Sequence, residues 1–210
     1  MNSLLSPRLL EIAAQVENGA SVIDVGSDHA YMPIYLVREK GAKRALATDV
    51  HDGPIQRSRE NIEKFGLSGK VEAQKADGLL GVSTEDYDTV VIAGMGGLLI
   101  WEILSGAENL EGLRLILQPM TAIAELRQAL LAHGFRIEKE SIAEEGEKLY
   151  VILVASVGED TPYTEAELLV GRKNRNHPLF AALCQNVSGK LSKRLEGILA
   201  GSLQNEAEIE

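Results

Sequence analysis

The sequence predicts an α/β fold in which helices cover both faces of a mainly parallel sheet. Apolar runs of strand length alternate with longer segments whose apolar residues recur at helical spacing, and this alternation is typical of βαβ units. A glycine or an acidic residue closes several of the strand-like runs. The 210 residues, 45% of them hydrophobic, can form one such domain with a small additional unit.

The first half of the chain contains four predicted strands. Residues 7–17 carry apolar side chains at helical spacing and precede the first strand, at 22–25. This strand breaks at Gly26, and Pro33 suits the first turn of the helix that follows. The next predicted elements are a strand at 44–49, a helix at 54–65, a strand at 71–74 and a strand at 88–93. The last of these is apolar throughout, which favours a central position in the sheet.

The second half continues the alternation and then departs from it. A helix is predicted at 98–104, a strand at 113–118 and a helix at 122–133. Residues 135–140 and 148–154 are separated by an acidic, glycine-containing turn, which predicts an antiparallel hairpin. A linker at 158–162 precedes two predicted helices, at 165–172 and 178–199. We therefore expect a main domain over 1–160 and a helical unit over 161–210.

The ends of the predicted strands indicate the ligand. In an open parallel sheet, ligands bind beyond the carboxyl ends of the central strands. Gly26 is followed by Ser27 and Asp28, without the later glycines that a dinucleotide pyrophosphate needs, and no triphosphate-binding loop motif is present. Asp49 is placed to accept hydrogen bonds from ribose hydroxyls, and Asp77 to meet an adenine amino group. S-adenosylmethionine offers a ribose and an adenine but no phosphate, so it fits these features best.

Several motifs resemble one family. The segment from Asp24 to Pro33 (DVGSDHAYMP), with AGMGG at 93–97, LQP at 117–119 and a C-terminal helical pair, closely resembles the bacterial tRNA (adenine-22, N1)-methyltransferases. The resemblance covers essentially the whole chain. It implies a Rossmann-like class I methyltransferase sheet, whose last strand is inserted antiparallel, followed by a coiled-coil-like helical domain that is shorter here than is typical of the family. It also implies S-adenosylmethionine as cofactor and tRNA as substrate.

The resemblance and the strand ends together predict three groups of site residues. The predicted cofactor-binding residues are Asp24, Gly26, Ser27, Asp49, Val50, Asp77, Gly78, Ala93 and Gly94. The residues predicted to face the reacting adenine are Asp28, His29, Tyr31 and Met95. The predicted RNA contacts are Arg8, Gly96, Gln118, Arg172, Lys173 and Arg175. Alternative roles are a helix start for His29, packing for Tyr31 and Met95, and solvent-exposed positions for Arg8 and the 172–175 turn.

The segment after the fourth strand bears on the reaction. Enzymes that methylate an exocyclic amine usually carry an Asn/Asp-Pro-Pro segment there, whereas residues 93–96 offer only backbone and the thioether of Met95. A ring nitrogen such as N1 of adenine is therefore the better acceptor. Catalysis would be mainly in-line positioning, with a proton acceptor near the adenine amino group. Asp28 is the candidate for that acceptor, and Tyr31 or His29 could stack on the base.

Charge and composition limit the other possibilities. The net charge is −10, yet residues 165–200 carry six basic and three acidic side chains, so positive charge gathers late in the chain. One cysteine and four scattered histidines do not suggest a metal site. Neither a signal peptide nor a membrane span is indicated, and we expect a cytoplasmic protein without an obligate protein partner. A small-molecule methyltransferase and a non-catalytic binding adaptor remain alternatives.

Overall fold

A computed structural model of the protein describes residues 4–207. Its seven strands form one sheet: β1 Ser21–Val25, β2 Arg44–Asp49, β3 Val71–Lys75, β4 Thr89–Gly96, β5 Arg114–Thr121, β6 Phe135–Glu145 and β7 Lys148–Val157. The strand order is β3-β2-β1-β4-β5-β7-β6. Adjacent strands from β3 to β5 are parallel, while β7 is antiparallel to both of its neighbours. This confirms the predicted sheet and its inserted last strand.

The hairpin of β6 and β7 explains how the last strand enters the sheet. Only residues 146 and 147 separate the two strands, and Gly146 has φ +62°. Two-residue hairpin turns favour glycine at such a position because positive φ is strained for other residues. The tight turn forces β7 back antiparallel to β6, and β7 then pairs with β5.

Helices cover both faces of the sheet, and the alternation of side chains along each strand divides the core between those faces. The helices are α1 Pro7–Ala14, α2 Tyr31–Glu39, α3 Asp52–Lys64, α4 Gly97–Ser105, α5 Ile123–Ala132, α6 Glu165–Val170 and α7 Phe180–Ala207. In β1, Val22 packs with α1 and α2, whereas Ile23 packs with α4 and α5. The result is a three-layer arrangement with the central strands buried on both sides.

Among the strands that run further than the sequence predicts, β4 and β5 shape the site. β4 continues from the predicted end at Ala93 to Gly96, and β5 continues to Thr121. The pairing register between these strands shifts around Met95, and Gly94 has φ +79°. This irregularity is a bulge, which lets the strand continue while turning part of its backbone toward the site. The local pattern does not reveal it because the bulge is held by a distant side chain.

The C-terminal helices differ in their attachment. α6 ends at Val170, two residues before its predicted end, and begins with a capping box in which Thr164 and Glu167 bond reciprocally. The core continues across the predicted domain boundary as far as Leu183, which is buried, with Val187 packed against it. From Ser188 to residue 200 every side chain of α7 is exposed. The attached part and the projecting part of α7 therefore meet near residue 188.

In the part of the chain that the structure describes, no helix combines the length and the apolar character that crossing a membrane requires.

Candidate active site at the carboxyl edge of the sheet

A cavity of about 360 Å³ lies where β1 and β4 end. Its walls come from α1, the end of β1, the loop that leads into α2, and the β4 bulge: Arg8, Leu9, Asp24, Gly26, Ser27, Asp28, His29, Tyr31, Met32, Ala93 and Gly94. The volume is within the range of small-molecule sites. Nine of these wall residues are among the predicted site residues, so the structure brings together groups that are up to 86 positions apart.

The backbone conformation of the loop after β1 favours glycine. Gly26 has φ +71°, a backbone conformation that side chains rarely adopt. A Cβ added there would also overlap the methyl group of Met95, which packs directly over the loop. The predicted reaction-site residue Met95 thus covers the predicted cofactor loop.

Asp24 is the buried acid of the site. Asp24 lies at the end of β1 and is 6% exposed. Burial raises the pKa of its carboxyl group to about 7. Near neutral pH the side chain is therefore poised between its neutral and ionised forms. A positively charged group in the cavity would favour the ionised form, because an opposite charge stabilises a carboxylate. A perturbed acid in a cavity is a common feature of functional sites.

The segment between β1 and α2 is strained. Residues 28–30 form a short 3₁₀ turn in which His29 has φ +66° and Ala30 has φ +58°. Two successive non-glycine residues in this region cost on the order of 1–3 kcal/mol each. The turn is held by Asn61, whose side-chain amide donates to the His29 carbonyl at 2.9 Å. Such strain is concentrated at functional sites, where surrounding structure enforces it.

This strained turn presents three side chains at the mouth of the cavity. His29 Nε2 lies 3.2 Å from Asp28 Oδ1. The rings of His29 and Tyr31 are 5.8 Å apart and tilted by 40°. Tyr31 remains 38% exposed, so one surface of its ring is available to a ligand. The arrangement supplies a carboxylate and two aromatic faces within one short segment.

Arg8 and Gln118 meet behind the β4 bulge. The guanidinium of Arg8 donates to Gln118 Oε1, which also accepts the Gly94 N–H at 3.2 Å. Gln118 is fully buried, although the sequence predicts it as an RNA contact. Arg8 does line the cavity. The structure therefore favours an indirect role for Gln118.

The remaining predicted cofactor residues lie further along the same edge, outside the cavity. Asp49 ends β2 and accepts the His51 N–H at 2.8 Å, while Val50 beside it is exposed. Asp77 is exposed beyond β3, and Gly78 has φ +60° next to Ile103. Because β2 and β3 follow β1 in the sheet, these residues extend the cavity edge in one direction. They are placed for the part of a ligand that projects from the cavity.

The predicted RNA contacts are dispersed. Gly96 ends β4 opposite Thr121, near the cavity. The 172–175 turn lies beside α6, where Arg172 and Arg175 both pair with Glu167, at 2.9 Å and 2.7 Å. The hydrogen bond from Arg172 holds the pKa of Glu167 at about 2. Lys173 is exposed, but its backbone N–H donates to Glu140 at 2.9 Å. The two arginines of this turn therefore share one carboxylate within the protein, while the Lys173 side chain is exposed.

The sequence analysis missed a buried ion pair that fixes α6. Arg127 on α5 and Glu140 on β6 are both inaccessible, with a 2.8 Å hydrogen bond from Arg127 Nε to Glu140 Oε1. Arg127 also donates to the Leu168 carbonyl in α6. A signal was present, because Arg127 falls on the apolar stripe of α5, at helical spacing from Ile123 and Leu130.

No three histidine, cysteine or acidic side chains come together as a metal site within residues 4–207. The residues that are present fit S-adenosylmethionine. The Gly26 turn leaves room for close approach of a ligand, Asp24 can pair with an ammonium, and Asp49 and Asp77 extend the same edge.

Comparisons with known proteins agree with this geometry. A family model described as a methyltransferase domain matches residues 5–153. The chain is 40% identical over 175 residues to the tRNA (adenine(22)-N(1))-methyltransferase of Bacillus subtilis, covering 81% of this chain and 74% of the relative. The crystal structure of the B. subtilis m1A22 tRNA methyltransferase has a TM-score of 0.84 at 33% identity, over 92% of this chain and 87% of that chain.

A Streptococcus pneumoniae protein solved in complex with S-adenosyl-L-methionine has a TM-score of 0.84 at 40% identity, over 92% of both chains. Fold, site and comparisons define the protein as a class I S-adenosylmethionine-dependent methyltransferase. Within that class, the chain belongs to the tRNA (adenine(22)-N(1))-methyltransferase family.

Proposed function

We infer that this protein methylates N1 of an adenine in tRNA, at position 22, with S-adenosylmethionine as the methyl donor. The observation that carries this inference is the cavity at the ends of β1 and β4, which is lined by Asp24, the Gly26 loop and the strained segment of Asp28, His29 and Tyr31. The family to which the chain belongs supplies the position of the adenine.

The cofactor is proposed to bind along the ends of β1, β2 and β3. Asp24 would pair with its ammonium group, Asp49 would accept hydrogen bonds from its ribose, and Asp77 would meet its adenine. Gly26, Ser27, Val50, Gly78, Ala93 and Gly94 would contribute backbone and close packing. When bound, S-adenosylmethionine supplies an electrophilic sulfonium methyl group. The protein's part is then to hold the accepting nitrogen in line and to exclude water.

The substrate adenine is proposed to enter beside Tyr31. Its ring nitrogen N1 carries a lone pair, so no nucleophile from the protein is needed. Tyr31 or His29 would stack on the base, and Met95 would pack against the site from β4. Asp28 would accept a hydrogen bond from the amino group, which becomes more acidic as positive charge develops on the ring.

The body of the tRNA is proposed to contact the projecting part of α7. Lys190, Lys193 and Arg194 are exposed there, and they form no ion pairs among the residues that the structure describes. Arg8 at the cavity and Lys173 near α6 would add contacts closer to the sheet. Because the substrate is tRNA, we propose that the protein acts in the cytoplasm.

Mass analysis of tRNA nucleosides tests this function. Purified protein is incubated with methyl-labelled S-adenosylmethionine and a tRNA transcript carrying adenine at position 22, and a matched transcript carrying guanine there is the control. Labelled 1-methyladenosine in the first transcript alone is the expected result. Label on another nucleoside would show that the methylated position differs from the proposed one. No label on RNA, with cofactor binding intact by calorimetry, would favour a small-molecule substrate or a non-catalytic adaptor.

A further inference from the structure

Gln118 has an amide group whose orientation is fixed entirely within the protein. Gln118 is 0% exposed and lies where β5 passes the β4 bulge. Nε2 donates to the Pro119 carbonyl at 2.9 Å, so Oε1 must face the opposite way, where it accepts from Gly94 and Arg8. A fully buried amide with both ends bonded is costly to place and costly to disturb, because an unpaired buried polar group loses its solvation.

The Gly94 N–H is a group that the sheet itself does not pair regularly. The register between β4 and β5 shifts on either side of Met95, so the bulged residue lacks the regular alignment with the neighbouring strand. The side chain of Gln118 takes the place of that strand's carbonyl as the hydrogen-bond acceptor. Gln118 therefore stabilises the bulge in the one conformation seen in the structure.

The bulge forms part of the candidate site. Ala93 and Gly94 line the cavity, and Met95 packs over Gly26. Holding the Gly94 N–H also fixes the carbonyl of Ala93, since the two groups of a trans peptide point in opposite directions. A rotation of this one peptide unit would move both the cavity wall and the residue that covers the cofactor loop.

Arg8 keeps Gln118 in place from the N-terminal helix. Its backbone N–H donates to Glu145 Oε2 at 3.1 Å, and its guanidinium lies 5.3 Å from the centroid of the Tyr150 ring. These contacts anchor Arg8 to the β6–β7 hairpin. Its side chain then reaches Gln118, and Nη1 would lie 3.8 Å from a Cβ added at Gly94. The α1 helix thereby supports the cavity wall through a single side chain.

We propose that Gln118, oriented by Arg8, is a positioning residue for the methyl transfer. It fixes the backbone of residues 93–95, which lies between the cofactor loop and the reacting adenine. This proposal rests on the proposed function for its kinetic readout. It assigns Gln118 an effect on turnover rather than on RNA affinity, because the side chain is buried and has no surface to offer to RNA.

Two substitutions of nearly equal size separate this role from a merely structural one. Gln118→Met removes the acceptor and should lower kcat on tRNA at least tenfold, with the KM for tRNA and the cofactor Kd little changed, because small misplacements of a reacting group are costly. Gln118→Glu keeps an oxygen acceptor for Gly94 and Arg8 and should retain most of the activity. A merely structural role predicts that activity follows stability in both variants, since methionine leaves the Gly94 N–H and the Pro119 carbonyl unpaired while glutamate places an oxygen against that carbonyl.

Amide hydrogen exchange gives a readout that does not depend on turnover. Protection of the Gly94 amide should fall in Gln118→Met and persist in Gln118→Glu. Gln15→Met is the matched control, because Gln15 is also buried and its side-chain amide donates to Glu11 rather than to the site. Equal Gly94 protection in all variants would overturn the proposal, as would activity losses that simply follow thermal stability. A wild-type protein inactive on tRNA would refute the proposed function, while the exchange result would still decide whether Gln118 fixes the Gly94 backbone.

Discussion

Two buried carboxyl groups in this protein, those of Glu140 and Asp24, have contrasting environments. Glu140, at the junction of β6 with α5 and α6, is paired with Arg127 and also accepts the Lys173 N–H. Asp24, at the carboxyl edge of the sheet, is equally buried, and the cause that dominates its pKa is burial, which raises it to about 7. At the junction, the charge of Glu140 is paired within the protein. At the site, by contrast, a ligand can change the protonation state of Asp24. Local rules of stability tend to be broken where function requires it.

The largest effect should come from breaking the satisfied pair. Arg127→Met leaves Glu140 buried without its cation and should destabilise the protein by about 3–5 kcal/mol in denaturant unfolding. Adding Glu140→Gln should recover part of the loss, because no charge then stays buried. Arg136→Met is the matched control: Arg136 pairs with Glu138 at the surface, so about 0–1 kcal/mol is expected. A loss for Arg127→Met as small as that of the control would contradict the role of this pair.

Removing the buried acid of the site should have the opposite effect, a gain in stability at high pH. The pKa of Asp24 rises from 3.8 to about 7 on folding, so the folded state binds the proton more tightly and wild-type stability falls as pH rises from about 4 to 7. Asp24→Asn should therefore match the wild type near pH 4 and be more stable at pH 8 by about 3–4 kcal/mol, at ~1.4 kcal/mol per pKa unit.

Thermal unfolding of both proteins at pH 4, 6 and 8 measures this difference. Calorimetry at pH 8 should at the same time show weaker S-adenosylmethionine binding by Asp24→Asn, because the variant cannot supply a carboxylate to the ammonium group. A stability difference that does not change with pH would contradict the raised pKa of Asp24.

The two regions also differ in how far the ring of a tyrosine is covered. Tyr163 at the junction is covered by Arg172, whose guanidinium lies 4.1 Å from the ring centroid, while Tyr31 at the site is 38% exposed. If Tyr31 stacks on the substrate base, Tyr31→Ala should reduce kcat/KM on tRNA by about 1–3 kcal/mol, with the cofactor Kd unchanged. Tyr31→Phe keeps the stacking face and should stay close to the wild type. Single-turnover methylation rates check both variants. A wild-type rate for Tyr31→Ala would contradict stacking of the substrate base on this ring.

The same contrast explains how far the sequence could predict the structure. Strands such as 22–25 and the hairpin at 135–154 were predictable, because apolar runs and turn residues are local signals. The position of the Gly26 loop at a cavity was predictable, since ligand sites in open parallel sheets lie beyond the carboxyl ends of the central strands. The shapes of the β4 bulge and the α6 junction were not. Each depends on one side chain from a distant element, Gln118 and Arg127 respectively, and no local pattern reports its partner.

Charge is the property for which a count along the sequence was least informative. The 172–175 turn and the projecting part of α7 contribute three basic residues each. In the turn, Arg172 donates to Thr161 and the Pro162 carbonyl as well as to Glu167, which also binds Arg175. On α7 the three basic side chains are exposed from Ser188 onward. Equal formal charge therefore represents unequal capacity to bind phosphate.

Matched substitutions can test that difference, and they carry the smallest expected effect. Arg194→Gln on α7 should weaken tRNA binding a few-fold and lower the slope of log K against log salt by about 1, as expected for one lost phosphate contact. Arg175→Gln removes the same charge from a side chain that already pairs with Glu167, so it should change the slope less. Affinities measured from 50 to 200 mM salt, with Arg57→Gln, which removes an exposed arginine of α3, as a control, separate these outcomes. If Arg175→Gln lowers the slope as much as Arg194→Gln, then RNA displaces Glu167 from the turn, and the junction belongs to the RNA-binding surface after all.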